Sequence, residues 1–122
     1  GHLKDCRLVA QSGEIILGWT ALSPFSSREV YRGVASVSIY IGEKYRGSGV
    51  GKTLLRELIK CSEQKGYWTL QASVFAENLA SLKLHQDAGF RVVGVREKSA
   101  SLNGIWHDTI LLERRSQLVA WT

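Results

Sequence analysis

The order of strand-forming and helix-forming segments predicts a mixed α/β domain, β-β-β-α-β-α-β-β, within 122 residues. Three observations carry this. Residues 34–41 alternate with a period of two, residues 50–65 switch to a helical period, and a glycine stands where each of two helices should stop. The length suits one core with no linker, and no internal repeat or low-complexity run interrupts it.

Cys6 to Gln11 and Glu14 to Leu22, split by Ser12-Gly13, read as a hairpin. Ser23 to Ser27 holds the only proline, Pro24, and reads as a loop. In the strand from Val34 to Ile41, Ala35, Val37, Ile39 and Ile41 share one face and Ser36, Ser38 and Tyr40 the other. Val50, Leu54, Leu55, Leu58 and Ile59 then form one stripe of a helix running to Lys65, with Lys52, Arg56, Glu57, Lys60 and Glu63 facing away and Gly66 at its C-terminal cap. Tyr67 to Phe75 is rich in β-formers and reads as a central strand. Asn78 can cap a shorter helix to Asp87, ended by Gly89. Arg91 to Lys98 and Ile105 to Arg114 are the last strands, joined by a loop holding Asn103-Gly104. Each helix has one apolar stripe, so both must cover the sheet.

Composition excludes several classes. With 44% hydrophobic and 22% charged residues the chain is not disordered, and no apolar run approaches the ~20 residues of a membrane span. No exported leader is evident, so a cytoplasmic setting is expected. Cys6 and Cys61 form no ligand-spaced pair; they read as reduced thiols, and no metal is expected. The net charge of +5 favours an anionic partner without saying which.

The segment Arg46-Gly47-Ser48-Gly49-Val50-Gly51-Lys52-Thr53 narrows that choice. Glycines at alternate positions let the backbone turn with its N–H groups inward, and a helix N-terminus follows with unpaired donors and a partial positive charge. Flanked by Arg46 and Lys52, this is an anion site suited to phosphate. A P-loop would need a glycine at the position of Arg46, and a dinucleotide fingerprint would need its third glycine at Lys52, so both are rejected.

Arg46-x-x-Gly49-x-Gly51 between a strand and an amphipathic helix resembles the acetyl-CoA pyrophosphate loop of the GNAT acyltransferase superfamily. Asn78-x-x-Ser81 with Leu84-His85-x-x-x-Gly89-Phe90 is similar to that superfamily's second cofactor-contacting helix. Pro24-Phe25-x-x-Arg28-x-x-Tyr31, Ser38-Ile39-Tyr40-Ile41 and Asn103-Gly104-x-Trp106-His107-Asp108 resemble the phosphinothricin N-acetyltransferase group. The resemblance implies the GNAT acyl-CoA N-acyltransferase fold as a single domain over residues 1–122. Its usual first strand and helix pair have no counterpart before Cys6, so the domain is expected to be truncated at its N-terminal end.

The same resemblance implies direct attack of a small amino-acid-like amine on acetyl-CoA, with no acyl-enzyme, and a homodimer. Backbone groups of Ile39, Tyr40 and Ile41 would hold the pantetheine arm and polarise the thioester carbonyl; Arg46, Gly47, Ser48, Gly49, Val50, Gly51 and Lys52 would hold the pyrophosphate, and Asn78 the arm. Phe25, Tyr31, Trp106 and His107 would line the acceptor site, with Trp106 half in the core; Asp108 reads as structural and His2 as a frayed terminus. His85 stands where many members carry a tyrosine as general acid, and an imidazole there could move a proton at neutral pH. Ser36 stands where the phosphinothricin group has the glutamate proposed as general base, and a serine is no base without a partner. Two rival readings remain: a catalytically silent acyl-CoA-binding protein, and a basic nucleic-acid-binding domain, for which Tyr31-Arg32 and Lys44-Tyr45-Arg46 give faint support. The main reading carries no nucleic-acid and no membrane partner.

Overall fold

A computed structural model describes residues 6–121, so His2 lies outside the described residues. The strands are β1 (Arg7–Ser12), β2 (Ile15–Pro24), β3 (Val34–Ile41), β4 (Thr69–Phe75), β5 (Arg91–Leu102) and β6 (Ile105–Arg115). The helices are α1 (Val50–Gln64) and α2 (Leu79–Asp87), in the expected order. Two 3-10 turns, Glu29–Tyr31 and Glu43–Tyr45, fill connections. The six strands form one mixed sheet ordered β1-β2-β3-β4-β6-β5, antiparallel everywhere except between β3 and β4.

One face of the sheet carries the core. Leu55 and Leu58 of α1 are fully buried there with Leu22, Ala35, Leu70, Ala72 and Leu112. The period-two alternation therefore sends Ser36, Ser38 and Tyr40 to the opposite face. Register carries that face across the sheet: Trp19 lies opposite Tyr40, Ser23 opposite Ser36, Gln71 beside Ser36, and Glu113 opposite Gln71.

The parallel pair is short. β3 and β4 pair only at Val34–Thr69, Ala35–Leu70 and Ser36–Gln71. Past that point β3 runs on to Ile41 and β4 to Phe75 without pairing to each other, so the sheet opens into a V. Gly33 sets its closed end. The Gly33 carbonyl accepts from the Trp68 N–H at 2.7 Å and the Thr69 N–H at 3.1 Å, and a Cβ on Gly33 would stand 2.1 Å from the Trp68 ring. Any side chain there would push Trp68 off the start of β4.

Several expectations need correction. β2 runs on through Ser23 and Pro24, expected as loop, because both stay in register with Ser36 and Ala35 of β3. β5 runs to Leu102 rather than stopping at Lys98, because a bulge between Arg96 and Ala100 absorbs the break in pattern and pairing then resumes. Lys98 sits there at φ 46°, its N–H donating to the Asp108 carboxylate at 2.8 Å. Cys6 and Cys61 are not separate thiols but a disulfide, with Cα atoms 5.9 Å apart across a sequence separation of 55. Spacing along the chain did not reveal this, because packing of α1 against β1 and β2 is what brings the two together.

Candidate active site

The V and the glycine loop make one cleft of about 460 Å³. Ile39, Tyr40 and Ile41 of β3 form one wall, Arg46, Gly47, Gly49, Gly51 and Lys52 one end, and Asn78, Ser81 and Leu84 the α2 side. The structure thus gathers most of the residues expected to hold the acyl donor. Ser48 and Val50 belong to the same loop and first helical turn but do not line the cleft; the Ser48 hydroxyl instead donates to the Tyr45 carbonyl.

Gly47 and Gly49 take φ of 78° and 88°, a left-handed backbone that disfavours any side chain. Gly49 is the N-cap of α1 and offers no side-chain bond to the helix's first N–H groups. Those donors and the helix's partial positive charge face a space into which a Cβ on Gly47 or Gly49 would meet nothing within 4 Å. Arg46 and Lys52 have no ion-pair partner among the described residues. A phosphate fits this donor set. Gly51 serves packing instead, since a Cβ there would lie 3.2 Å from Leu84 Cδ2; glycine lets α2 close on the start of α1.

Asn78 caps α2, its side-chain oxygen accepting from the Ser81 N–H at 3.1 Å. His85, about two turns on, is 2% exposed and does not line the cleft. Its Nδ1–H donates to the Ser81 carbonyl at 2.8 Å, and its ring meets Phe90 edge-on at 5.2 Å. Burial lowers its pKa from 6.5, partly opposed by the Ser81 bond. The buried ring is neutral, so stability is full above pH 6.5, where the unfolded imidazole is neutral too, and falls as the pH drops through the lowered folded value. Melting temperature should therefore decline from pH 7.5 to pH 5. His85→Asn, which can keep a donor to Ser81, should flatten that decline; an unchanged slope would remove His85 as its source.

On the open face, Ser36 stands at the last paired step before the V, and its Oγ accepts from the Gln71 amide at 2.9 Å. Glu113, opposite Gln71, is ion-paired with Arg91. Trp19 stacks on Tyr40 with ring centroids 6.4 Å apart. Phe25 and Tyr31 meet edge to face at 5.4 Å, beyond Ser23 on the β2 side and away from the cleft lining. His107 stacks on Phe75 at 4.7 Å with planes 6° apart, and its Nδ1 bonds the Glu77 carboxylate. Trp106 is 62% exposed instead of half in the core, because it lies on the stretch of β6 that pairs only with the far end of β5.

Sequence reasoning missed Gln71 and Glu77. Nothing local marks Gln71, since its partner is 35 residues away across the parallel pair. The cleft face of α2 was findable: Ala80, Ser81, Leu84 and Asp87 follow Asn78 at helical spacing.

The profile of the acetyltransferase (GNAT) family matches residues 2–90, and the chain belongs to that family. It is 37% identical over 108 residues to the phosphinothricin N-acetyltransferase of Alcaligenes faecalis, covering 88% of this chain and 55% of that one. It is 29% identical over 102 residues to the L-methionine sulfoximine/L-methionine sulfone acetyltransferase of Pseudomonas paraeruginosa, covering 84% and 59%. The crystal structure of a phosphinothricin acetyltransferase from Sinorhizobium meliloti in complex with AcCoA superposes with a TM-score of 0.87 at 29% identity, covering 95% of this chain and 63% of that one. The chain spans 55% to 63% of the length of these three proteins.

Proposed function

We propose that the protein transfers the acetyl group of acetyl-CoA to the amine of a small amino-acid-like acceptor by direct attack. The observation that carries this is the cleft itself: a V in the sheet whose β3 wall presents backbone groups and whose far end is a phosphate-suited glycine loop. The relatives named for phosphinothricin and methionine sulfoximine support the acceptor class.

In this reading Arg46, Lys52 and the loop N–H groups neutralise the pyrophosphate, and Asn78 steadies the arm with its side-chain amide nitrogen. Backbone groups of Ile39 to Ile41 align the arm and polarise the carbonyl; one such oxyanion donor contributes about 3 kcal/mol. A homodimer belongs to the same proposal, supported by the exposed Val92, Val93 and Val95 of the edge strand β5. We place the protein in the cytoplasm, where acetyl-CoA is available.

Calorimetric titration with acetyl-CoA, with ATP–Mg²⁺ as control, tests the donor. Micromolar binding of the first and none of the second is expected; no acetyl-CoA binding would overturn the proposal. A second reading, a silent acyl-CoA binder, is favoured by one observation: Ser36 Oγ is engaged by an amide, with no carboxylate at that step. The acceptor separates the two. Freeing a Lys-like amine of its proton at pH 7 costs about 4.6 kcal/mol against about 1.4 for an α-amine near pKa 8. With no carboxylate beside it, kcat/KM for an α-amine should exceed that for an ε-amine on the order of 100-fold. Equal values would place a strong base in the cleft, and zero for both would favour the silent binder.

A further inference from the structure

The open face of the V has two sides. On the β3 side stand Ser36, Ser38 and Tyr40; on the β4 side, Gln71, Ser73 and Phe75. His107 continues that second side, because β6 is unbroken from Ile105 to Arg115 and alternation puts His107, Thr109, Leu111 and Glu113 on the same face as Phe75. A base for an incoming amine is needed on this face. Ser36 is not that base; neither His85 nor His107 lines the donor cleft, but His85 is 2% exposed on α2 whereas His107 lies on this open face of the sheet.

Resting on the acetyl-transfer reading above, we infer that the Glu77–His107 pair is the general base of the reaction. Glu77 lies in the turn between β4 and α2, next to Asn78, which lines the donor cleft. Its carboxylate accepts from His107 Nδ1, which fixes the tautomer and leaves Nε2 with the lone pair. Stacking on Phe75 at 4.7 Å holds the ring flat against the wall. Nε2 has no partner among the described residues, and the side chain is 20% exposed. A carboxylate that orients an imidazole and stabilises its protonated form is the arrangement a histidine base requires. The other charged groups around it are Asp108 on its own strand and Arg96, Glu97 and Lys98 on the bulged part of β5; Ala100 lies opposite it in register.

Protons and electrons balance. The acceptor arrives as R–NH3⁺ and gives one proton to His107 Nε2, directly or through one water. The freed lone pair attacks the thioester carbon, and the C–S bond breaks with its electron pair going to sulfur. The resulting R–NH2⁺–acetyl group loses its second proton to the thiolate, giving the amide and free thiol, and His107 releases its proton to solvent. Glu77 keeps its negative charge throughout.

The test uses acetyl-CoA with L-phosphinothricin and L-methionine sulfone as probe amines, following thiol release from pH 5.5 to 9.5. His107→Gln is expected to lower kcat about 100-fold, to leave acetyl-CoA affinity unchanged, and to leave a residual rate that climbs with pH without a plateau. Glu77→Gln should lower kcat about tenfold with the amine KM unchanged, since it removes the carboxylate that holds the imidazole by its Nδ1. Added imidazole should partly restore His107→Gly, which separates a proton-transfer role from a packing role. A wild type that binds no acetyl-CoA, or turns over neither amine, overturns the acetyl-transfer reading and this inference with it. An active wild type whose His107→Gln variant keeps its kcat and pH profile, losing only KM, overturns this inference alone.

Discussion

Gly49→Val should weaken acetyl-CoA binding by about 100-fold or more while leaving the protein folded. At φ 88° a β-branched residue is strained by on the order of 1–3 kcal/mol, and the backbone relieves that strain by rotating. Rotation at the N-cap of α1 re-aims the first N–H groups of the helix, each of which gives a charged phosphate about 1.5–3 kcal/mol. The new side chain also fills space that is open beside the loop. Gly66→Val is the control. Gly66 has φ of 85° and equally open surroundings, but it lies past the other end of α1. It should lower the melting temperature and leave affinity alone. Calorimetry on both variants checks this, and equal affinities for the two would remove the glycine loop from the donor site.

Reducing the Cys6–Cys61 disulfide should lower stability by about 4 kcal/mol, the chain-entropy value for a closed loop of this length. For a domain of this size that is a drop in melting temperature on the order of 15 °C. The measurement is a melt with and without dithiothreitol, repeated on Cys61→Ala, where the reductant should have no effect. Mass spectrometry of the intact chain, which registers the two hydrogens gained on reduction, reports the fraction oxidised. A reductant-insensitive melt of fully oxidised protein would show that the bond adds nothing to the fold's stability.

Local pattern made much of this fold legible. Alternation alone bounded β3 at Val34 and Ile41, because one of its faces is core and the other open. The stripe Leu54, Leu55, Leu58 gave α1 its buried side, and Asn78 and Gly89 marked the ends of α2 through chemistry the backbone demands at those points. The glycine loop was legible because three glycines at alternate positions have few other uses. What stayed hidden depends on contacts between distant segments. The Ser36–Gln71 bond exists only because β3 and β4 run parallel for three residues. Glu77 carries no local sign of reaching His107, thirty residues on. Trp106 looked half-buried because indole usually is, but it is 62% exposed on the stretch of β6 that has only β5 as its strand partner.

The brevity of the β3–β4 pairing has a mechanical consequence. Three rungs join a leaf made of β1, β2 and β3 to a leaf made of β4, β6 and β5, with α1 packed on the first and α2 on the second. Few backbone bonds cross that seam, so side chains do most of the joining: Leu55 and Leu58 of α1 share one core with Leu70, Ala72 and Leu112, and Glu63 pairs with Arg114. A ligand filling the cleft would meet Ile39 to Ile41 on one leaf and Asn78, Ser81 and Leu84 on the other, and so would tie the two together. Its binding energy is then also cohesion between the halves of the sheet, worth about 2.7 kcal/mol at a concentration 100 times Kd. If the proposed donor binds there, each gain in its affinity would register as added resistance of the sheet to opening at the same seam.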